Sequence, residues 1–125
     1  MVLDASAVLA VLFEEPGAER VRQATLTPTP ISAVNLSEVL GKMIERGASD
    51  IDARTRVAGL QLDVRSFGEI SAHEAAFLRR VTRTAGLSLG DRACLTLARE
   101  LGMPALTAER NWTRLDVGVS IELIR

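Results

Sequence analysis

Four acidic residues in this chain fall where an apolar run gives way to a turn or a helix start. Asp4 closes Val2-Leu3-Asp4, Glu38 comes shortly after Ile31-Ser32, Asp91 follows Leu87-Ser88-Leu89-Gly90, and Glu109 follows Ala105-Leu106-Thr107-Ala108. In an open α/β sheet, ligands bind at the carboxyl ends of the parallel strands. Carboxylates that converge there repel one another and titrate upward unless a cation joins them. A site made of oxygen ligands alone favours a hard divalent ion such as Mg²⁺ or Mn²⁺.

The elements that must position these side chains can be read from periodicity and punctuation. Val2–Leu3 predicts a short buried strand, and Ser6 is a candidate N-cap for a helix through about Phe13. Glu14-Glu15-Pro16-Gly17 breaks that helix, and Ala18 to Ala24 resumes it. Thr27-Pro28-Thr29-Pro30 reads as a turn and Ile31–Ser32 as a second strand. From Val34 to Arg46, Leu36, Val39, Leu40, Met43 and Ile44 repeat at helical spacing, and Gly47 ends the run. Ser49-Asp50 caps a helix to about Leu60, and 62–67 predicts a third strand. Ser71-Ala72-His73-Glu74 reads as a capping box for a helix to about Thr84. Residues 90–101 form a further helix closed by Gly102, Ala105–Leu106 a fourth strand, and 119–124 a fifth at an edge. Strands interleaved with helices predict an α/β fold, a single domain over residues 1–125. Its architecture is a three-layer α/β/α sandwich on a mostly parallel sheet.

Each carboxylate also has an ordinary reading. Asp4 could cap the next helix, although Ser6 is available for that. Glu38, opposite Leu36, Leu40 and Met43, could be a solvated surface residue. Asp91 flanks an apolar stripe in line with Leu95 and Ala98. It calls either for a partner or for the favourable dipole of a helix N-terminus. Glu109 alone could be a turn residue. Taken together, the strand-end placements favour one shared pocket.

Other chemistries find little support. A zinc site or a Ser-His-Asp triad would rest on His73, the only His, and Cys94, the only Cys. His73 reads as an exposed helical residue and Cys94 as a small core residue. No phosphate-binding glycine motif is present. Trp112 is the only Trp and there is no Tyr, so no stacking platform for single strands is evident, and Trp112 reads as a packing anchor or interface residue. The net charge of −1 excludes a uniformly basic surface, yet Lys42 is the only Lys among 15 basic residues. Arg grips phosphate with a planar, two-pronged donor set. The absence of a long apolar run argues against a membrane span. A lone cysteine and a start at Met-Val-Leu-Asp with no charged leader predict a cytoplasmic protein.

Val-Leu-Asp-Ala-Ser-Ala, Ile-Ser-Ala-Val-Asn-Leu-Ser-Glu-Val, Leu-Ser-Leu-Gly-Asp-Arg-Ala-Cys-Leu and Leu-Thr-Ala-Glu-Arg-Asn-Trp carry a resemblance. In this order and spacing, across the whole chain, they are similar to the PIN-domain family, and within it to VapC-type ribonuclease toxins of toxin–antitoxin systems. The resemblance implies a PIN-like fold and a Mg²⁺-dependent endoribonuclease, with Mn²⁺ able to substitute. Asp4, Glu38, Asp91 and Glu109 would be the catalytic and metal-binding acids, with Asp4 and Asp91 as the main ligands. Ser6, Asn35 and Thr107 would support them. At Glu109 the family pattern has Asp; the longer side chain would turn a direct ligand into a water-mediated one. Asp116 is a spare acid that ranks below Glu109. Arg92 and Arg110 adjoin site acids and are candidate phosphate contacts, or else surface ion pairs. Hydrolysis by a metal-activated water would leave a 5′-phosphate. The resemblance further implies a homodimer and a cognate antitoxin that blocks the pocket, with the helices around 8–13 and 34–44 forming its groove. Two rivals are a catalytically weakened PIN-like module that binds RNA or antitoxin, and a phospho-acceptor receiver domain. The receiver lacks its second acid after Asp4 and its late Lys.

Overall fold

The computed structural model describes residues 1–125. Five strands form one sheet in the order β3-β2-β1-β4-β5, and every neighbouring pair is parallel. The strands are β1 (Val2–Leu3), β2 (Thr29–Ser32), β3 (Leu62–Arg65), β4 (Ala105–Thr107) and β5 (Ile121–Leu123). Helices α1 (Ala5–Leu12), α2 (Ala18–Ala24), α3 (Ala33–Glu45) and α4 (Asp50–Ala58) precede β3, and α5 (Glu69–Phe77), α6 (Arg79–Thr82) and α7 (Leu89–Leu101) follow it. The chain winds from β1 outward to β3, then returns through α7 to place β4 on the other side of β1. Strand order reverses there, which opens a crevice at the carboxyl ends of β1 and β4.

Two cores form because strand side chains alternate between faces. Leu3, Ile31 and Leu106 pack with Val8, Val21, Val39 and Met43 on the face covered by α1 to α4. Val2 and Ala105, one residue earlier in the paired strands, pack with Leu78, Leu95, Leu97 and Trp112. This is the three-layer sandwich. Leu3 and Leu106 are fully buried, and each such side chain contributes roughly 1.5–3 kcal/mol of transfer free energy.

Several boundaries differ from the sequence reading for identifiable reasons. β2 begins at Thr29 and includes Pro30. The proline has no N–H for the ladder, and β1 pairs only with the next residue, Ile31. The predicted capping box at Ser71 does not form. Gly68 is the N-cap of α5, and Ser71 Oγ instead donates to Glu100 Oε1 at 3.0 Å, tying α5 to α7. The helix expected to reach Thr84 stops at Phe77. Thr82 returns its hydroxyl to the Leu78 carbonyl at 2.9 Å, and a 3₁₀ turn over Arg83–Ala85 ends at Gly86 with φ of 69°. No helix is long and apolar enough to cross a membrane.

Candidate active site

Asp4 stands at the end of β1, immediately before α1. Its backbone occupies the N-cap position, but its side chain makes no capping bond. Ser6, expected to cap α1, lies inside the helix and serves the carboxylate instead. Ser6 Oγ donates to Asp4 Oδ2 at 2.6 Å, and Thr107 Oγ1, at the end of β4, donates to the same oxygen at 2.9 Å. Each hydroxyl also accepts a backbone N–H, Ser6 from Ala108 and Thr107 from Glu109, both at 3.0 Å. Both hydroxyl protons therefore point at Asp4, and the two N–H bonds fix the turn that carries Glu109. Asp4 Oδ1 receives no side-chain donor and is left for the pocket.

Asp91 enters from α7. Ser88 Oγ accepts from Asp91 N–H at 3.2 Å, and Asp91 Oδ2 accepts from Ser88 N–H at 3.0 Å, the reciprocal capping box. The helix-start reading and the site reading of Asp91 are thus compatible: one oxygen caps and the other is free. Glu38 projects from α3 across the first turn of α7. Asn35, fully buried, donates Nδ2 to Gly90 O at 2.9 Å and to Glu38 Oε1 at 3.2 Å, joining the two helices beneath the acids.

Gly90 was missed in the sequence. A Cβ added there would meet Glu38 Oε1 at 1.5 Å, so the glycine makes room for that carboxylate. A glycine in the first turn of an otherwise strong helix is the signal that could have flagged it. Gly90→Ala has a sharp expected outcome. The flexible end of Glu38 moves aside, the helix gains about 0.5–1 kcal/mol from the alanine, and metal affinity falls about tenfold as the acid is displaced. Thermal melts and Mn²⁺ titration check it; a variant that melts lower and binds Mn²⁺ normally would be inconsistent with this packing.

Asp4, Glu38, Asp91 and Glu109 line one cavity of about 180 Å³ with Ser6, Leu9 and Lys42. The structure thus brings all four sequence-predicted acids to a single pocket. Burial is the main cause of the raised Asp4 pKa, about 6, with the Asp91 charge adding to it and the Ser6 and Thr107 hydrogen bonds opposing it. Glu38 is pushed to about 7, again by desolvation first and then by the charges of Asp4 and Asp91. Cys94 lies fully buried behind them, its thiol held neutral by burial and by the three acids. Lys42 was also missed as a pocket residue. It is the only Lys and sits four residues after Glu38, on the same helical face.

The donor set fits a hard divalent cation: carboxylate oxygens from buried Asp4, half-buried Asp91 and the more exposed Glu38 and Glu109, no competing His or thiolate, and mutual repulsion that an ion would relieve. As the side chains stand, no three acids are gathered tightly enough to enclose an ion.

Two candidates take other roles. Arg92, a candidate phosphate contact or else a surface ion pair, is neither: it is buried, and its Nη1 donates to Ala75 O at 2.9 Å. It pins α5 to α7 and is directed away from the cavity, a correction that follows from its place on the buried face of α7. Asp116 lines surface clefts with Val81 and Arg114 or with Phe77 and Arg80, apart from the acids. Arg110 is exposed at the start of the 3₁₀ segment Arg110–Arg114, with no ion-pair partner. Trp112 is fully buried, a packing anchor.

The chain matches the family model of the PIN domain over residues 1–118. It is a member of the PIN-domain family. Among solved structures it is similar to a toxin–antitoxin complex from Klebsiella pneumoniae, with a TM-score of 0.76 and 16% identity, covering 99% of this chain and 97% of that one. VapBC2 from Rickettsia felis, bound to a DNA fragment from its promoter, gives a TM-score of 0.75 at 13% identity, covering 98% and 96%. DNA-bound VapBC from Salmonella typhimurium gives 0.74 at 20%, covering 99% and 97%. These likenesses concern the fold. No curated protein matches the chain.

Proposed function

We propose that this protein is a divalent-metal-dependent endoribonuclease and the toxin of a toxin–antitoxin pair, acting on RNA in the cytoplasm as a homodimer. The observation that carries this reading is the single cavity shared by Asp4, Glu38, Asp91 and Glu109 at the sheet's switch point. Membership of the PIN family supports a nuclease role, and the toxin–antitoxin complexes among its structural relatives support an antitoxin partner.

Asp4 and Asp91 would hold Mg²⁺, or Mn²⁺ in its place, through their free oxygens, with Glu38 and Glu109 completing the shell directly or through water. The bound ion would supply Lewis-acid polarisation of the phosphate and a water of lowered pKa. Ser6 and Thr107 hold Asp4 in one orientation, and Asn35 does the same for Glu38. Burial and the charges of Asp4 and Asp91 raise Glu38 to about 7 in the metal-free pocket; a bound dication would offset those charges and hold Glu38 ionised as a ligand to the ion or to its water. Attack of water on phosphorus would break the bond to the 3′-oxygen; the water would lose a proton to solvent and the leaving oxygen would gain one, giving a 5′-phosphate and a 3′-hydroxyl. No 2′-hydroxyl or side-chain nucleophile takes part.

The test is incubation of the purified protein with total RNA and Mn²⁺. Fragments ending in 5′-phosphate, suppressed by EDTA, are expected. Cleavage that persists in EDTA, or that leaves 2′,3′-cyclic phosphates, would reject the mechanism. Mn²⁺ and RNA binding with no cleavage of any RNA would instead favour a catalytically weakened binding module.

A further inference from the structure

The acidic cavity does not end at the acids. A second cavity of about 410 Å³ continues from it, sharing Leu9, Lys42 and Glu109 and adding Phe13, Arg46 and Arg125. The charges differ between the two. The first holds four carboxylates against Lys42 alone. The second holds Lys42, Arg46 and Arg125 against Glu15 and Glu109. A polyanion led into the first cavity must be gripped close by, where the balance turns positive.

Arg46 is built for that grip. Its guanidinium lies over the Phe13 ring, 4.0 Å from the centroid. It forms no ion pair, and its side chain makes no hydrogen bond within the chain. Stacking on an aromatic face restrains the guanidinium plane but leaves the in-plane N–H donors open. That fork matches two phosphate oxygens. Lys42, one turn earlier on α3, lies between this fork and the acids. Its contact with Glu45 Oε2, 3.3 Å away on an exposed surface, is weak enough to exchange for phosphate.

We propose that Lys42 and the Phe13-stacked Arg46, with Arg125 at the rim, form a positioning track for the nucleotide next to the scissile phosphate of a single-stranded RNA. This rests on the proposed function and extends it: the strand would leave the acidic cavity between α1 and the C-terminal half of α3. Arg46 acts by holding the substrate; the reacting atoms are met by the acids.

The experiment measures anisotropy of a fluorescein-labelled, mixed-sequence single-stranded RNA with Ca²⁺ present, across a salt series, alongside Mn²⁺ calorimetry and cleavage kinetics in Mn²⁺. Arg46→Ala is expected to weaken RNA binding about tenfold and to lower the salt slope by about one. KM should rise to match, with kcat within about twofold and Mn²⁺ affinity unchanged. Arg46→Lys, which keeps the charge but loses the planar fork, should recover only part of the affinity, and Phe13→Leu should resemble it. RNA binding by Arg46→Ala with wild-type affinity and salt slope would overturn the track. So would intact RNA binding with lost capture of the co-expressed antitoxin, which would give the groove to a protein partner. Wild-type protein that binds Mn²⁺ but no RNA also overturns the track while sparing the metal site; failure to bind Mn²⁺ at all would instead sink the proposed function.

Discussion

Asp4→Asn is expected to abolish RNA cleavage and, in the metal-free protein near pH 8, to raise the melting temperature by several degrees. The carboxylate is 3% exposed and its pKa stands at about 6, above the ordinary 3.8. The folded state therefore holds this proton more tightly than the unfolded chain does. Between pH 4 and 6 it carries more protons than the unfolded state, so stability falls as pH rises through that window and stays low above it. The gap between 3.8 and about 6 corresponds to about 3 kcal/mol of penalty on the charged form, an upper figure for what removing the charge returns. Asparagine keeps an acceptor for Ser6 and Thr107 and loses the charge. Near pH 4, where the wild-type acid is itself protonated, the two melting temperatures should meet. Mn²⁺ should raise the wild-type melting temperature at pH 8 and leave the variant unmoved. Cleavage should drop at least ~10²-fold, as for other losses of a group that stabilises transition-state charge. A variant that melts below metal-free wild type at pH 8, or that still cleaves, would contradict the assignment of Asp4.

What the sequence displayed and what it hid divide along physical lines. Strand-end acids were legible because the pattern of apolar run, acid and helix start is local. Ser32 and Ser49 accept from the Val34 and Asp52 N–H groups as helix caps for equally local reasons. The failures concern competition between partners. Ser71 and Ser88 both head a Ser-x-x-acid motif, and the motif alone favours neither. Ser88 caps because α7 starts there, whereas Ser71 is already one turn into α5 and finds Glu100 across the helix pair. Ser6 looked like a cap because the local pattern does not show that Asp4 needs a donor; it serves that carboxylate together with Thr107, which comes from 103 residues away. Arg92 adjoins Asp91 in sequence, but consecutive helical residues diverge by about 100° around the axis. Its side chain therefore joins the buried face of α7 while Asp91 faces the cavity. Gly90 could be understood only once Glu38 of α3 was seen to cross it.

The site's response to pH follows from the same crowding, and it gives the second large effect. Mn²⁺ binding is expected to weaken by about three orders of magnitude between pH 8 and pH 5, because two carboxylates must lose protons before they can ligate. Their pKa values, about 6 for Asp4 and about 7 for Glu38, set the window. At pH 8 both are ionised and protons do not compete. Between 7 and 6 the ion must displace one proton, close to a tenfold loss per pH unit, and below 6 it displaces two, which steepens the curve. Cys94 contributes no step, since its thiol stays neutral throughout. Calorimetry at pH 5, 6, 7 and 8 in matched ionic strength measures the curve directly. Glu38→Gln separates the components: it should weaken binding at pH 8 yet flatten the fall between 7 and 6, leaving the lower step to Asp4. Asp4 should titrate close to its wild-type value, because Glu38 is already largely protonated where Asp4 titrates, and burial and the Asp91 charge raise Asp4 instead. A variant curve parallel to wild type would remove Glu38 from the coordination shell, and affinity independent of pH in the wild type would mean that the ion, if it binds, is held by groups other than these acids.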